Sequence, residues 1–176
     1  KFGGMPVTDQ STFDLSNIGT AGKYLISLTV KTKDACTDSS FKQIEVLPKP
    51  VADFIIPKDT LCFDNHSLSI NNSSKIVDDI ITDYLYKEGQ SLISTSENVN
   101  GYTFKLPGDH LITQVIKTKE GCIDSINKRF FLLENPKASF KADSVCIGEQ
   151  ITLTAKQLTG TYPIIRWNWQ AGDGNS

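Results

Sequence analysis

The residues able to do chemistry in this chain are few, and their spacing narrows what they could do. Four cysteines stand at Cys36, Cys62, Cys122 and Cys146. None forms a Cys-x-x-Cys pair, and only His66 and His110 could help them hold zinc, so the spacing does not suit a zinc site. The cysteines instead read as a disulfide framework of an oxidising compartment, with free buried thiols as the alternative. Asp78, Asp79 and Asp83 cluster, with Asp59 and Asp64 nearby in sequence. Grouped carboxylates can bind calcium or act as acid and base. No EF-hand spacing is present, and a solvated loop accounts for them better. Asp173, between two glycines, suits a turn. No serine nucleophile elbow or glycine-rich phosphate loop occurs. The expectation is therefore no catalytic residue, no cofactor-binding residue, no cofactor and no metal ligand.

Composition supports a folded chain. Of 176 residues, 39% are apolar and 22% charged, enough to bury a core. The net charge of -2 argues against a nucleic-acid partner. Apolar runs are too short for a membrane span.

The elements that carry these residues emerge from a repeat. "GKYLISLTVKTKDACTDS" at 22–39 matches "GDHLITQVIKTKEGCIDS" at 108–125, an offset of 86. The same offset carries Ala52 onto Ala138, Phe54 onto Phe140 and "LPKP" (47–50) onto "LENP" (133–136). With a two-residue deletion, "DTLCFDNHSLSI" (59–70) continues onto "DSVCIGEQITLT" (143–154). The cysteines thus fill two repeat positions, each twice. Three units follow: residues 1–50 as the last part of a first domain, 51–136 as a complete second, and 137–176 as the first part of a third. The chain reads as a segment of a longer repeat protein.

Thr, Ser, Val, Ile and Phe are plentiful and turn residues recur closely, as in an all-β chain. In the complete unit, strands are expected at Ala52–Ile56, Ser67–Asn71, Ile80–Tyr86, Ser91–Thr95, Tyr102–Leu106, His110–Lys117 and Asn127–Leu133. "KIVDDIITDYLY" (75–86) also fits a helical period. The third unit has "RWNW" (166–169) where the second has "DYLY" (83–86), and this alternation favours a strand. About seven short strands per unit make tandem immunoglobulin-like β-sandwiches the expected fold. One of Trp167 and Trp169 is expected in a core and the other on an outer face.

These residues resemble the PKD (polycystic kidney disease) repeat. "WNWQAGDGNS" looks like that family's aromatic strand and Gly-Asp-Gly turn, and "IGTAGKYLISLTV" (18–30) looks like its later Tyr-rich strand. The second unit departs from it: Gly89 remains, the Gly-Asp-Gly turn is missing, and His110 stands where Tyr is usual. The extra cysteines and the "Gly-Cys-x-Asp" resemble PKD arrays of Bacteroidota surface proteins, including large adhesins and gliding-motility proteins exported by type 9 secretion.

The resemblance implies a secreted, cell-surface, non-enzymatic stalk, extending about 35–40 Å per domain. Its implied partners are neighbouring domains of the same longer chain, secretion or surface-anchoring proteins, and surface polysaccharide. The alternative is an accessory module of a secreted polysaccharide or protein hydrolase. In the sandwich, the two cysteine positions fall at opposite ends, roughly 20–25 Å apart. A disulfide needs Cα atoms within about 7 Å. A bond between successive domains is therefore preferred over Cys62–Cys122, which would require the segment carrying Cys62 to fold back. Asp-(Ser/Thr)-apolar triplets at Thr60, Ser125 and Ser144 resemble O-glycosylation acceptors of Bacteroidota proteins. Ordinary loop residues explain them equally well. Asn-x-Ser sequons at Asn65, Asn71 and Asn72 carry little meaning in a bacterial setting.

Overall fold

In the computed structural model, residues 11–12, 18–64, 66–170 and 172 are described; the Asn65 sequon and the Asp173 turn lie outside them. All regular elements among the described residues are strands. None is a helix long and apolar enough to cross a membrane. β1 (Gly22–Lys31) and β2 (Thr37–Val46) form a hairpin. The sandwich follows, with β3 (Phe54–Ile55), β4 (Thr60–Cys62), β5 (Leu68–Asn72), β6 (Ile81–Glu88), β7 (Ser91–Ser94), β8 (Val99–Tyr102), β9 (Gly108–Thr118) and β10 (Ile123–Leu133). β11 (Lys137–Lys141) and β12 (Thr154–Thr159) form a second antiparallel pair.

The sandwich has one sheet ordered β4-β10-β9-β6-β7 and another ordered β3-β5-β8. This is the immunoglobulin-like division of strands, with the sandwich's first strand split between the sheets as β3 and β4. Alternation makes the core. On β9, His110, Ile112, Gln114, Ile116 and Thr118 are buried while Leu111 and Lys117 are exposed. Phe54, Leu68, Ile70 and Val99 from the smaller sheet meet Tyr86, Ile112, Phe130 and Leu132 from the larger. Each such large apolar side chain contributes about 1.5–3 kcal/mol on burial. All members of this cluster lie between residues 54 and 132, so the middle sandwich closes its own core.

The strand expectations need three corrections. β4 was missing from them, because three residues carry too little alternation to be seen. Its pairing is parallel, Thr60 with Phe131 and Cys62 with Leu133. The strand expected at Tyr102–Leu106 lies earlier, at Val99–Tyr102. The last strand starts at Ile123 rather than Asn127, and with β4 the unit has eight strands rather than about seven, β7 lying where Ser91–Thr95 was expected. The helical alternative for 75–86 fails: Tyr84, Leu85 and Tyr86 pair with Ile116, Val115 and Gln114 of β9.

The repeat is visible in register. Gly22 pairs with Val46 and Lys31 with Thr37, just as Gly108 pairs with Leu132 and Lys117 with Ile123. Phe140 pairs with Ala155 where Phe54 pairs with Asn72, an offset of 155 − 72 = 83. This places Trp169 on Tyr86. Both edge onto the matching phenylalanine: Phe140–Trp169 at 5.4 Å and Phe54–Tyr86 at 5.9 Å between ring centroids. Trp169 thus takes the Tyr86 position, but it is 41% exposed where Tyr86 is wholly buried, Trp167 is exposed as well, and residues 166–169, expected as a strand, form no regular element. Residues two apart on a strand share a face, so the expectation that separated Trp167 from Trp169 fails on spacing alone. Tyr84, the counterpart of Trp167, likewise packs against the core beside Tyr86.

Candidate functional site

The features that recur from unit to unit converge on the two junctions at the ends of the sandwich. At the upstream end, Pro50 is fully buried, and Val51 exchanges both backbone bonds with Lys75 at 2.8 and 2.9 Å. Asp124, at the start of β10, fastens the same linker. Its Oδ2 accepts the Ala52 N–H at 2.8 Å, and its Oδ1 lies 3.1 Å from Lys49 Nζ. The Ala52 N–H, seconded by Lys49, holds the Asp124 carboxyl below the usual carboxylate range against partial desolvation. The β9–β10 hairpin that presents Asp124 turns through Gly121, whose φ is 92°. Thr118 N donates to Cys122 O at 2.9 Å, and Cys122 N to Thr118 Oγ1 at 3.1 Å. The first hairpin repeats both bonds between Thr32 and Cys36, with Ala35 at φ 65° in the glycine position.

At the downstream end, Phe63 N donates to Leu133 O at 2.8 Å and Asp64 N to Asn135 Oδ1 at 2.7 Å. Beyond the linker, Glu134 N donates to Thr161 Oγ1 at 2.7 Å and Thr161 N to Glu134 O at 3.2 Å. Gly160 touches Pro136 so closely that a Cβ there would sit 2.9 Å from Pro136 Cα. Both Pro-bearing linkers are therefore held by hydrogen bonds to the flanking β structure.

The four cysteines are free thiols, three of them exposed and Cys122 partly so. Register separates Cys62 from Cys122. Cys62 stands opposite Leu133, whereas Cys122 precedes the other end of β10. Eleven extended residues span about 36 Å, far beyond disulfide reach. The fold-back that a Cys62–Cys122 bond needed does not occur, because β4 runs parallel to β10 towards the downstream end.

The remaining candidates have structural duties. His66 Nδ1 lies 2.6 Å from Phe63 O, and its Nε2 accepts the Phe104 N–H at 2.6 Å. His110 is buried against Phe104, with its ring nitrogens 2.7 Å from Glu88 Oε1 and 3.1 Å from Leu106 O. Asp79 Oδ1 accepts the Ile80 N–H, Asp83 accepts the Thr82 hydroxyl, and the Asp59 carbonyl accepts the Phe131 N–H. No group of three or more potential metal ligands occurs among the described residues. Thr60 (opening β4), Ser125 (on β10) and Ser144 (after β11) are all exposed. They do not share one site.

Two functional groups escaped sequence reasoning. One is Asp124 itself: the "Gly-Cys-x-Asp" motif drew attention to its cysteine, although the aspartate repeats too, as Asp38. The other is a polar lock inside the core. Gln114, wholly buried, donates to Tyr86 Oη at 2.9 Å and Asn72 Oδ1 at 3.0 Å, and accepts from Ser74 Oγ at 3.2 Å. Tyr86 Oη donates onward to Glu97 O at 2.8 Å, and burial pushes this phenol's pKa up. Beside it, Lys128 Nζ binds Asp53 Oδ1 at 2.6 Å and the Phe54 carbonyl, depressing the Asp53 pKa. A glutamine at a core-facing position, where the first unit has Leu28, was the available signal.

No family model and no curated protein matches the chain. Among solved structures it is similar to the PKD1 domain of Vibrio anguillarum Epp, at 19% identity and TM-score 0.41, over 48% of this chain and 93% of that one. It is similar to the PKD1 domain of the Vibrio cholerae metalloprotease PrtV at 23% identity and TM-score 0.41, over 48% and 96%. The fibronectin(III)-like modules of Clostridium thermocellum CbhA are similar at 17% identity and TM-score 0.42, over 65% and 64%. By its own strand order and sheet division, the chain contains an immunoglobulin-like β-sandwich.

Proposed function

We propose that this chain is a non-enzymatic spacer, a run of sandwich domains (1–50, 51–136 and 137–176) within an extracellular stalk of a repeat-containing surface adhesin. One observation carries the reading: the chain joins the sandwich at one end and leaves at the other. Asp124 holds the incoming linker at Ala52, and Leu133 passes the chain on. Nine extended residues separate them, so each domain advances the chain by about 30 Å. The parallel β4–β10 ladder supports a load-bearing role, because pulling the two ends apart loads those bonds together in shear.

The adhesin context and export by type 9 secretion extend this reading on sequence resemblance. In the same reading, Thr60, Ser125 and Ser144 carry glycans; unmodified masses for all three peptides from native material overturn that part. Small-angle scattering tests the spacer. Tandems of two and three copies of residues 51–136 are expected to lengthen by about 30 Å or more per copy. A maximum dimension that does not grow with copy number refutes the reading. Selective polysaccharide binding by the 176-residue chain would replace it with the hydrolase-accessory role.

A further inference from the structure

We propose that copies of this chain join head to tail: residues 137–169 of one copy cover the open face of the β1–β2 hairpin of a second, and the two together rebuild one sandwich. The inference stands on the repeat register and goes beyond the spacer reading.

The middle sandwich shows what each half pairs with. There β9 lies between β10 and β6, and its Gln114 and Ile116 are wholly buried. Among the described residues β1 is paired with β2 alone. Leu28 and Val30, the counterparts of Gln114 and Ile116 by the offset of 86, are 63% and 51% exposed. The hairpin therefore offers an apolar face beside an unpaired strand edge, which is a template for another chain. Residues 137–169 hold the opposite half. Ile151, Leu153, Trp167 and Trp169 are exposed, whereas Leu68, Ile70, Tyr84 and Tyr86, their counterparts by the offset of 83, lie in or against the core. Residues 166–169 form no strand. Their counterpart β6 is a strand paired with β9, and the β9 counterpart in this chain is β1.

The middle register fixes how the halves meet. β6 pairs with β9 as Tyr86 with Gln114, Leu85 with Val115 and Tyr84 with Ile116. The same ladder sets Trp169 opposite Leu28, Asn168 opposite Thr29 and Trp167 opposite Val30. Phe140 already stands edge-on to Trp169 for this packing. The facing residues also change as a pair. In the middle unit Gln114 donates to the Tyr86 hydroxyl; in the composite, Leu28 faces Trp169, which carries no hydroxyl. Crossed with the middle unit's halves, Leu28 would leave the Tyr86 hydroxyl one bond short, and Trp169 would do the same to Gln114. That cost steers the two half-units to each other. Only the outermost pair, Arg166 with Lys31, opposes like charges, which salt screens. The middle sandwich stands between the two halves of one chain and keeps them about 30 Å apart, so a second copy supplies the other half. The contact is heterologous, so it extends as a linear chain rather than closing as a dimer. Copies joined this way continue the stalk lengthwise.

The test uses the 176-residue chain and two variants at exposed positions, Leu28→Asp and Trp169→Asp, under reducing conditions. Circular dichroism melting verifies the middle sandwich in each. Sedimentation velocity at rising concentration is expected to show the native chain growing from 19.4 kDa through successive multiples of that mass. Trp167 and Trp169 are the two tryptophans of the chain, so its emission is expected to move to shorter wavelength as copies join. Each variant alone is expected to stay a monomer with unshifted emission. Mixed in equal amounts, the variants are expected to form a dimer and nothing larger, because Trp169→Asp supplies an intact hairpin and Leu28→Asp an intact 137–169 segment. A native chain that stays monomeric overturns the proposal. A variant that self-associates alone also overturns it, by showing like faces pairing, and so does a mixture that stays monomeric. None of these outcomes touches the scattering of the 51–136 tandems, so the spacer reading fails separately.

Discussion

Replacing Asp124 by alanine tests whether this residue clamps the linker. The substitution removes the acceptor for the Ala52 N–H, a buried group left with no partner, and frees Lys49. A hydrogen bond to a charged group contributes about 1.5–3 kcal/mol. The Lys49 side chain is 74% exposed, so its ion pair adds little. Together these give a loss of about 2 kcal/mol. For a sandwich of this size that lowers Tm by about 8–16 °C. Lys49→Ala is expected to cost under about 0.5 kcal/mol, and Asp124→Asn, which keeps a neutral acceptor, about half the alanine loss. Urea titration followed by β-sheet circular dichroism measures all three. The sign with pH is fixed. A carboxyl whose folded pKa is depressed stabilises fully above its unfolded value of about 3.9 and stops doing so as pH falls through the folded value. The gap between native protein and Asp124→Asn should therefore close below pH about 4. Equal losses for Lys49→Ala and Asp124→Ala, or a gap that widens in acid, would refute the clamp.

Further outcomes follow from the same geometry. Ala35→Gly should stabilise the first hairpin by about 1 kcal/mol, and Gly121→Ala should weaken the second by a similar amount, since both positions are left-handed; thermal melts of single variants decide this. Tyr86→Phe should cost about 1–3 kcal/mol, because Glu97 O and Gln114 Nε2 both lose a buried partner; denaturant titration measures it. Gly160→Ala should displace the Pro136 junction, where a Cβ has no room, while leaving the melting of the middle sandwich unchanged. Amide exchange at Glu134 and Thr161, whose mutual bonds would loosen, reports that change.

Period and alternation make much of this protein legible in its sequence. The offset of 86 aligned the two long hairpins, the β9 and β10 hydrophobic alternation located the core strands, and Trp-Asn-Trp pointed to a strand that forms as β6 in the middle unit but not at 166–169 itself. These are local signals, carried by residues two apart or by direct sequence identity. Whatever depended on which strand lies beside which was decided by tertiary structure alone. A three-residue β4 has no pattern of its own; only its parallel ladder with β10 carries Cys62 to the downstream end. Asp124 looks like any loop carboxylate until the fold brings it to Ala52, seventy-two residues away. Gln114 reads as a polar interruption until Tyr86, Asn72 and Ser74 surround it. Hydrogen bonds between distant segments leave no periodic trace, because each needs only one suitable donor and one acceptor.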